Sequence, residues 1–122
     1  MDASNRRHTR YKVTEGSLAA QRMRKGGLLG MLQGWSECRI SDLSIAGALV
    51  LTQKRHGPGD KIILELTTRD GNSLLFLGKV VNISSEHRLG GYRLGVALGE
   101  ASTGSAEYEF LHGLASLYQT AI

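Results

Sequence analysis

KIILELTTRDGNSLLFLGKVVNI, residues Lys61 to Ile83, decides the fold class. Ile62, Leu64 and Leu66 recur at the two-residue period that lines one face of a strand, so Lys61 to Thr68 is expected to be extended. Asp70-Gly71-Asn72 supplies the chemistry of a tight hairpin turn, and Leu74 to Ile83 is a returning strand, apolar on both faces. A strand with two apolar faces belongs in a closed or covered sheet rather than an open one.

Working outward, Gly57-Pro58-Gly59-Asp60 punctuates the chain before this hairpin and ends a strand over Ala46 to Gln53. On the other side, Tyr92 to Leu98 alternates Tyr92, Leu94, Val96 and Leu98 with Arg93, Gly95 and Ala97. Ser17 to Met23 and Ser36 to Asp42 read as two earlier strands. Between them the four glycines of Arg24 to Trp35 argue for a long turn with unusually apolar contents: Leu28, Leu29, Met31, Leu32 and Trp35. The simplest placement of those side chains is tucked over one end of the barrel; the rival is a docking or dimer surface. Phe110, Leu111, Leu114, Leu117, Tyr118 and Ala121 then share one helical face, which predicts a C-terminal helix over about 105–121 as the cover. The expected architecture is mainly β: a six-stranded antiparallel β-barrel with a C-terminal α-helix. Residues 13–122 form one domain, behind a flexible basic arm over residues 1–12.

The net charge of +4 is unevenly spread. Seven of the 15 Lys and Arg fall within the first 25 residues against only Asp2 and Glu15, while the remainder is close to neutral. An anionic partner at the N-terminal end follows from that field. The single cysteine, Cys38, cannot form an internal disulfide, and the first residues lack the apolar core of a signal peptide, so a cytoplasmic location is expected. The longest apolar-looking stretch, Gly26 to Trp35, falls far short of the roughly 20 residues of a membrane span, so no membrane insertion is expected.

Two short constellations carry chemistry. Arg6 and Arg10 stand four residues apart in Arg6-Arg7-His8-Thr9-Arg10, and a guanidinium can clamp phosphate, bond the O6/N7 edge of guanine or stack on a base. Alone, such an arm is more simply a solvated basic tail or a nonspecific polyanion contact. Asp42-Leu43-Ser44-Ile45-Ala46-Gly47 brings a carboxylate, a hydroxyl and a glycine to a strand junction. The carboxylate suits the paired N–H donors of guanine, and the glycine permits close approach of the backbone; the same residues also make an ordinary Asx or Ser turn.

In order, Arg-x-x-x-Arg at 6–10, Asp-x-Ser-x-x-Gly at 42–47, Gly59-Asp60-Lys61-Ile62-Ile63-Leu64, Gly78-Lys79-Val80-Val81 and Tyr92-Arg93-Leu94-Gly95-Val96 resemble the PilZ domain family over roughly residues 6 to 120. The resemblance implies a receptor for the bacterial second messenger cyclic di-GMP, held between the arm and the barrel surface. Arg6 and Arg10 would take phosphates and the guanine Hoogsteen edge, Asp42 and Ser44 would read guanine, and Gly47 would leave room, with Arg7 and His8 as helpers outside the motif positions. It further implies a conformational change relayed to a downstream protein partner. The stoichiometry rests partly on the position before the motif, here Asn5.

Other classes fit less well. A barrel binding RNA or DNA would use the same basic field, but only seven residues are Phe, Trp or Tyr and no strand shows an aromatic row for stacking bases. An adaptor working through protein contacts alone would leave the two motifs without a purpose, and the receptor is expected as a monomer or a homodimer. No nucleophile has a recognisable activating partner, so no enzyme is expected, and Cys38, His56, His87 and His112 lack metal-ligand spacing, so neither metal nor cofactor is expected.

Overall fold

The computed structural model describes residues 8–86 and 90–121. Seven strands follow one another as β1 (Tyr11–Lys12), β2 (Leu18–Lys25), β3 (Ser36–Leu43), β4 (Gly47–Thr52), β5 (Lys61–Thr68), β6 (Ser73–Glu86) and β7 (Gly91–Leu98). Six of them close a barrel in the order β3-β2-β5-β6-β7-β4, with β4 pairing back onto β3, and every pairing is antiparallel. One edge of β3 is shared: β2 takes its first residues, Ser36 and Glu37, and β1 its last, Asp42 and Leu43.

The alternation seen in sequence becomes the inside of this barrel. Ile62, Leu64 and Leu66 point inward from β5 and meet Phe76 and Leu74 across the β5–β6 ladder, with Met23, Ile40, Val50, Val80 and Leu94 completing a fully buried centre. Gly78 stands opposite Ile62, and a methyl there would come within 2.6 Å of Val96, so the interior is filled at that level by its neighbours. The Asp70-Gly71-Asn72 turn forms as expected, with Gly71 at φ 92°, a conformation that costs glycine little and other residues much.

Three expectations need correction. The glycine-rich stretch is no simple turn: β2 runs on to Lys25 and a helix, α1 (Gly27–Gln33), follows it directly. Nor are its apolar side chains tucked over the barrel end, since Leu28, Leu29, Met31 and Leu32 are all exposed. The third concerns the cover. The C-terminal helical face is broken into α2 (Ala106–His112) and α3 (Leu114–Leu117) at Gly113, and Tyr118 is already extended. Ser105 caps α2 by accepting the Tyr108 N–H at 3.1 Å, and Glu107 and Glu109 sit in its positive first turn.

These helices pack against the first half of β6, where Leu75 N–H donates to Glu107 Oε2 at 2.9 Å. Leu111 and Leu114 join the core, and Phe110 meets Phe76 with ring centroids 6.3 Å apart. The outer apolar face of β6, Leu75, Leu77 and Val81, stays exposed. Beyond α3 the chain returns to the N-terminal arm: Lys12 N–H donates to Gln119 O and Ala121 N–H to Arg10 O, each at 2.8 Å.

Candidate functional site

Two β-bulges build the site. In β3 the register runs Ile40 to Val50 and then Asp42 to Leu49, so Ser41 is an extra residue; in β6 it runs Val80 to Val96 and then Asn82 to Gly95, so Val81 is extra. Each bulge lets two inward residues lie three positions apart, Ile40 and Leu43 in one strand and Val80 and Ile83 in the other, and turns the intervening polar residue outward. Across the barrel wall, Asp42, Leu49, Gly95 and Asn82 then form one row over β3, β4, β7 and β6. Rows of buried side chains, such as Leu43, Ala48, Val96 and Val80, flank it, so this row faces outward.

A groove of about 550 Å³ lies over the row, within the size range of small-molecule sites. Arg10 and Asp42 stand at its rim, joined by a hydrogen-bonded ion pair in which Arg10 Nη2 donates to Asp42 Oδ2 at 3.1 Å. Thirty-two residues of sequence separate the two, and β1 closes the gap by pairing Lys12 with Asp42. The pair is half-exposed, so its worth to stability is small, about 1 kcal/mol or less. Its consequence is chemical: a guanidinium and a carboxylate share one rim, one able to take an anion and the other paired N–H donors.

Ser44 is buried and its hydroxyl is occupied locally, accepting from Gly47 N–H at 3.0 Å and from Ala46 N–H at 3.2 Å. With Ser44 N–H donating to Gly47 O at 2.9 Å, the motif serine and glycine form the tight junction from β3 to β4. Gly47 is constrained from a second side, because a methyl there would sit 3.1 Å from Val96 O on β7. The motif glycine thus permits the close approach of β7 to this junction.

Of the residues expected from sequence, the structure brings together Arg10, Asp42, Ser44 and Gly47, with His8 also on the groove wall. Arg6 and Arg7 lie outside the described residues. The groove has further walls that the motifs do not include: Leu49, Val81, Asn82, Gly95 and Ala97. Among these Asn82 and Gly95 are linked, since a methyl on Gly95 would come within 2.6 Å of the Asn82 amide. Gly95 lies on a strand legible in the sequence, but only the cross-strand register reveals that it faces Asn82 and that both share a row with Asp42. Among the described residues no three His, Cys, Asp or Glu cluster as metal ligands would.

No curated protein matches the chain. A solved structure, the Bacillus subtilis inhibitor of motility MotI/DgrA, is similar in fold, with a TM-score of 0.64 at 12% sequence identity over 91% of this chain and 49% of that one. This chain therefore spans about half the length of that protein. The PilZ domain family matches residues 4–108, which takes in both motifs and all seven strands. A match of that extent, on a barrel that gathers Arg10, Asp42, Ser44 and Gly47 around one groove, makes the chain a member of the PilZ domain family.

Proposed function

We propose that the chain is a non-catalytic receptor for cyclic di-GMP, working in the cytoplasm, and that it passes the signal to a partner protein. The observation that carries this reading is the meeting of the two motifs: Arg10 and Asp42 pair at 3.1 Å on the rim of a groove that the Ser44 to Gly47 junction helps to line. The groove offers both halves of guanine nucleotide recognition, a guanidinium for phosphate or the O6/N7 edge and a carboxylate for the opposite donors, beside apolar surface from Leu49 and Val81. The basic arm also carries Arg6 and Arg7, close in sequence to Arg10.

A route for the signal follows from the hydrogen bonds behind Arg10. Its carbonyl accepts from Ala121, and Tyr11 bridges Thr120, so the arm that grips the ligand is stitched to the segment leaving α3. In the unliganded protein Asp42 holds Arg10; a ligand phosphate competes for that guanidinium, and a guanine competes for the carboxylate. Rearrangement of the pair is thereby transmitted to the paired segments at residues 10–12 and 119–121, whose surface is offered to a partner.

Isothermal titration calorimetry of cyclic di-GMP into the wild-type chain, Arg10→Ala and Asp42→Ala tests this. Saturable binding in the wild type that weakens more than about tenfold in each variant is expected, each having lost a charged hydrogen-bond partner of the ligand. No binding would replace the receptor with an adaptor that acts through protein contacts without the ligand, and equal affinity in all three would place the ligand away from the Arg10–Asp42 groove. The exposed side chains of α1 are the observation that keeps that second reading in view.

A further inference from the structure

Helix α1 is built inside out. A surface helix normally turns its large apolar side chains onto the protein and its small or polar ones to water. Here Gly30 is the buried residue, and a methyl on it would run into the carbonyl oxygen of Lys25, so the helix backbone lies directly on the end of β2. The bulky residues point the other way: Leu28 is 76% exposed, Leu29 65%, Met31 63% and Leu32 78%. At about 100° per residue these four cover roughly 160° of the helix circumference, with no charge among them.

The surroundings are basic. Gly26 N–H donates to Lys61 O at 2.8 Å, which sets α1 beside the start of β5, and Lys61 stands opposite Lys79 on β6. Lys25 precedes the helix and pairs with Asp60 at 3.7 Å; Arg24, Lys61 and Lys79 have no acidic partner among the described residues. At the helix's other end Trp35 lies under two guanidiniums, Arg22 at 4.4 Å and Arg24 at 5.2 Å from its ring centroid. An apolar tip, a tryptophan at its base and a collar of lysine and arginine are the pattern of a segment that seats in the headgroup region of an anionic bilayer.

A second copy of the chain fits this tip poorly. Seven residues make a helix about 10 Å long, whereas a stable homodimer buries on the order of 800 Å² on each partner. Widening a two-fold contact around α1 would set each basic collar against its own image. We propose that α1 is a membrane-surface anchor, inserting Leu28, Leu29, Met31 and Leu32 among the headgroups and upper acyl chains of anionic phospholipid while Arg24, Lys25, Lys61 and Lys79 meet the lipid charge. The seating is shallow and reversible, as one short apolar segment permits, and no helix among the described residues is long and apolar enough to span. It amends the expectation of no membrane insertion to one of no crossing helix, and it stands apart from the ligand reading.

The test is co-sedimentation of the full chain with vesicles of phosphatidylglycerol and phosphatidylcholine, set against phosphatidylcholine alone, for wild type and for the double variant Leu28→Ser/Leu32→Ser. The expected result is salt-sensitive partitioning onto the anionic vesicles, reduced more than about tenfold in the variant, whose circular dichroism and melting temperature stay those of wild type. Trp35, the one tryptophan of the chain, is expected to be quenched by brominated acyl chains in the wild type. Absence of partitioning, equal partitioning of the variant, or binding without quenching, as attraction through the basic arm alone would give, each overturns the proposal. So does a wild-type dimer by light scattering that the double variant dissolves, because a second copy would then be what covers α1.

Discussion

At the scale of single residues, the groove depends on what glycine allows. Gly95 leaves the space in which the Asn82 amide lies across β7, so Gly95→Ala is expected to push that amide out of the groove while the inward neighbours Leu94 and Val96 keep the barrel folded. Loss of one hydrogen bond to a ligand predicts about a three- to tenfold drop in cyclic di-GMP affinity for Gly95→Ala, matched by Asn82→Ala, in calorimetric titration. His56 is a different case: it is buried, and neither ring nitrogen has a hydrogen-bond partner among the described residues. Burial lowers its pKa below 6.5, with nearby Lys25 and Lys54 adding to the shift and Asp60 opposing it. A depressed histidine favours the neutral folded state, so its contribution to stability is whole above the unfolded value of 6.5 and is lost as pH falls through the folded value. Urea unfolding from about pH 8 to about pH 5 should show wild type losing stability on the acid side and His56→Leu losing less. Burial also pushes the Cys38 thiol up to about 12, which keeps it protonated and unreactive at neutral pH.

Among the elements, α1 illustrates how a pattern of residue types leaves open which side faces in. Leu28, Leu29, Met31 and Leu32 have the spacing of a helix face that normally packs inward, but glycine at position 30 allows an approach to Lys25 that no side chain permits, and the polarity reverses. Gly30→Ala is therefore expected to lift α1 off β2, at a cost of roughly 1–3 kcal/mol if the contact is kept under strain. Hydrogen exchange would register it as faster exchange at Gly34 N–H, which bonds Gly30 O at 3.1 Å, while the core strands remain protected. Unchanged exchange through 26–34 would show that the helix does not rest on that glycine. The C-terminal helix makes the complementary point. Its apolar periodicity runs unbroken through Ala121, yet Gly113 ends α2 and the last residues turn extended to pair with the arm.

For the whole molecule, the barrel fastens both of its ends at one place. The arm enters through β1 on the shared edge of β3, and residues 119–121 bond back onto Arg10, Tyr11 and Lys12. Removing residues 119–122 is expected to leave the melting of the barrel core nearly unchanged, speed amide exchange at Lys12, and weaken cyclic di-GMP several-fold, because the arm's ordering cost then falls on the ligand. Equal exchange at Lys12 and equal affinity in the shortened chain would show that the C-terminal segment is a bystander.

Sequence by itself determined the strands, because a two-residue period of apolar side chains is a local property that each segment carries alone: Lys61–Thr68 is read without error and the other barrel strands within a few residues of their ends. It also determined the motif residues, because the two short motifs survive as ordered strings. Only the tertiary structure decided which of them meet. The Arg10–Asp42 pair, the row that adds Asn82 and Gly95, and the outward face of α1 depend on cross-strand register, on two single-residue bulges and on a close backbone approach. A bulge of one residue turns every later side chain to the opposite face, and no local period records it.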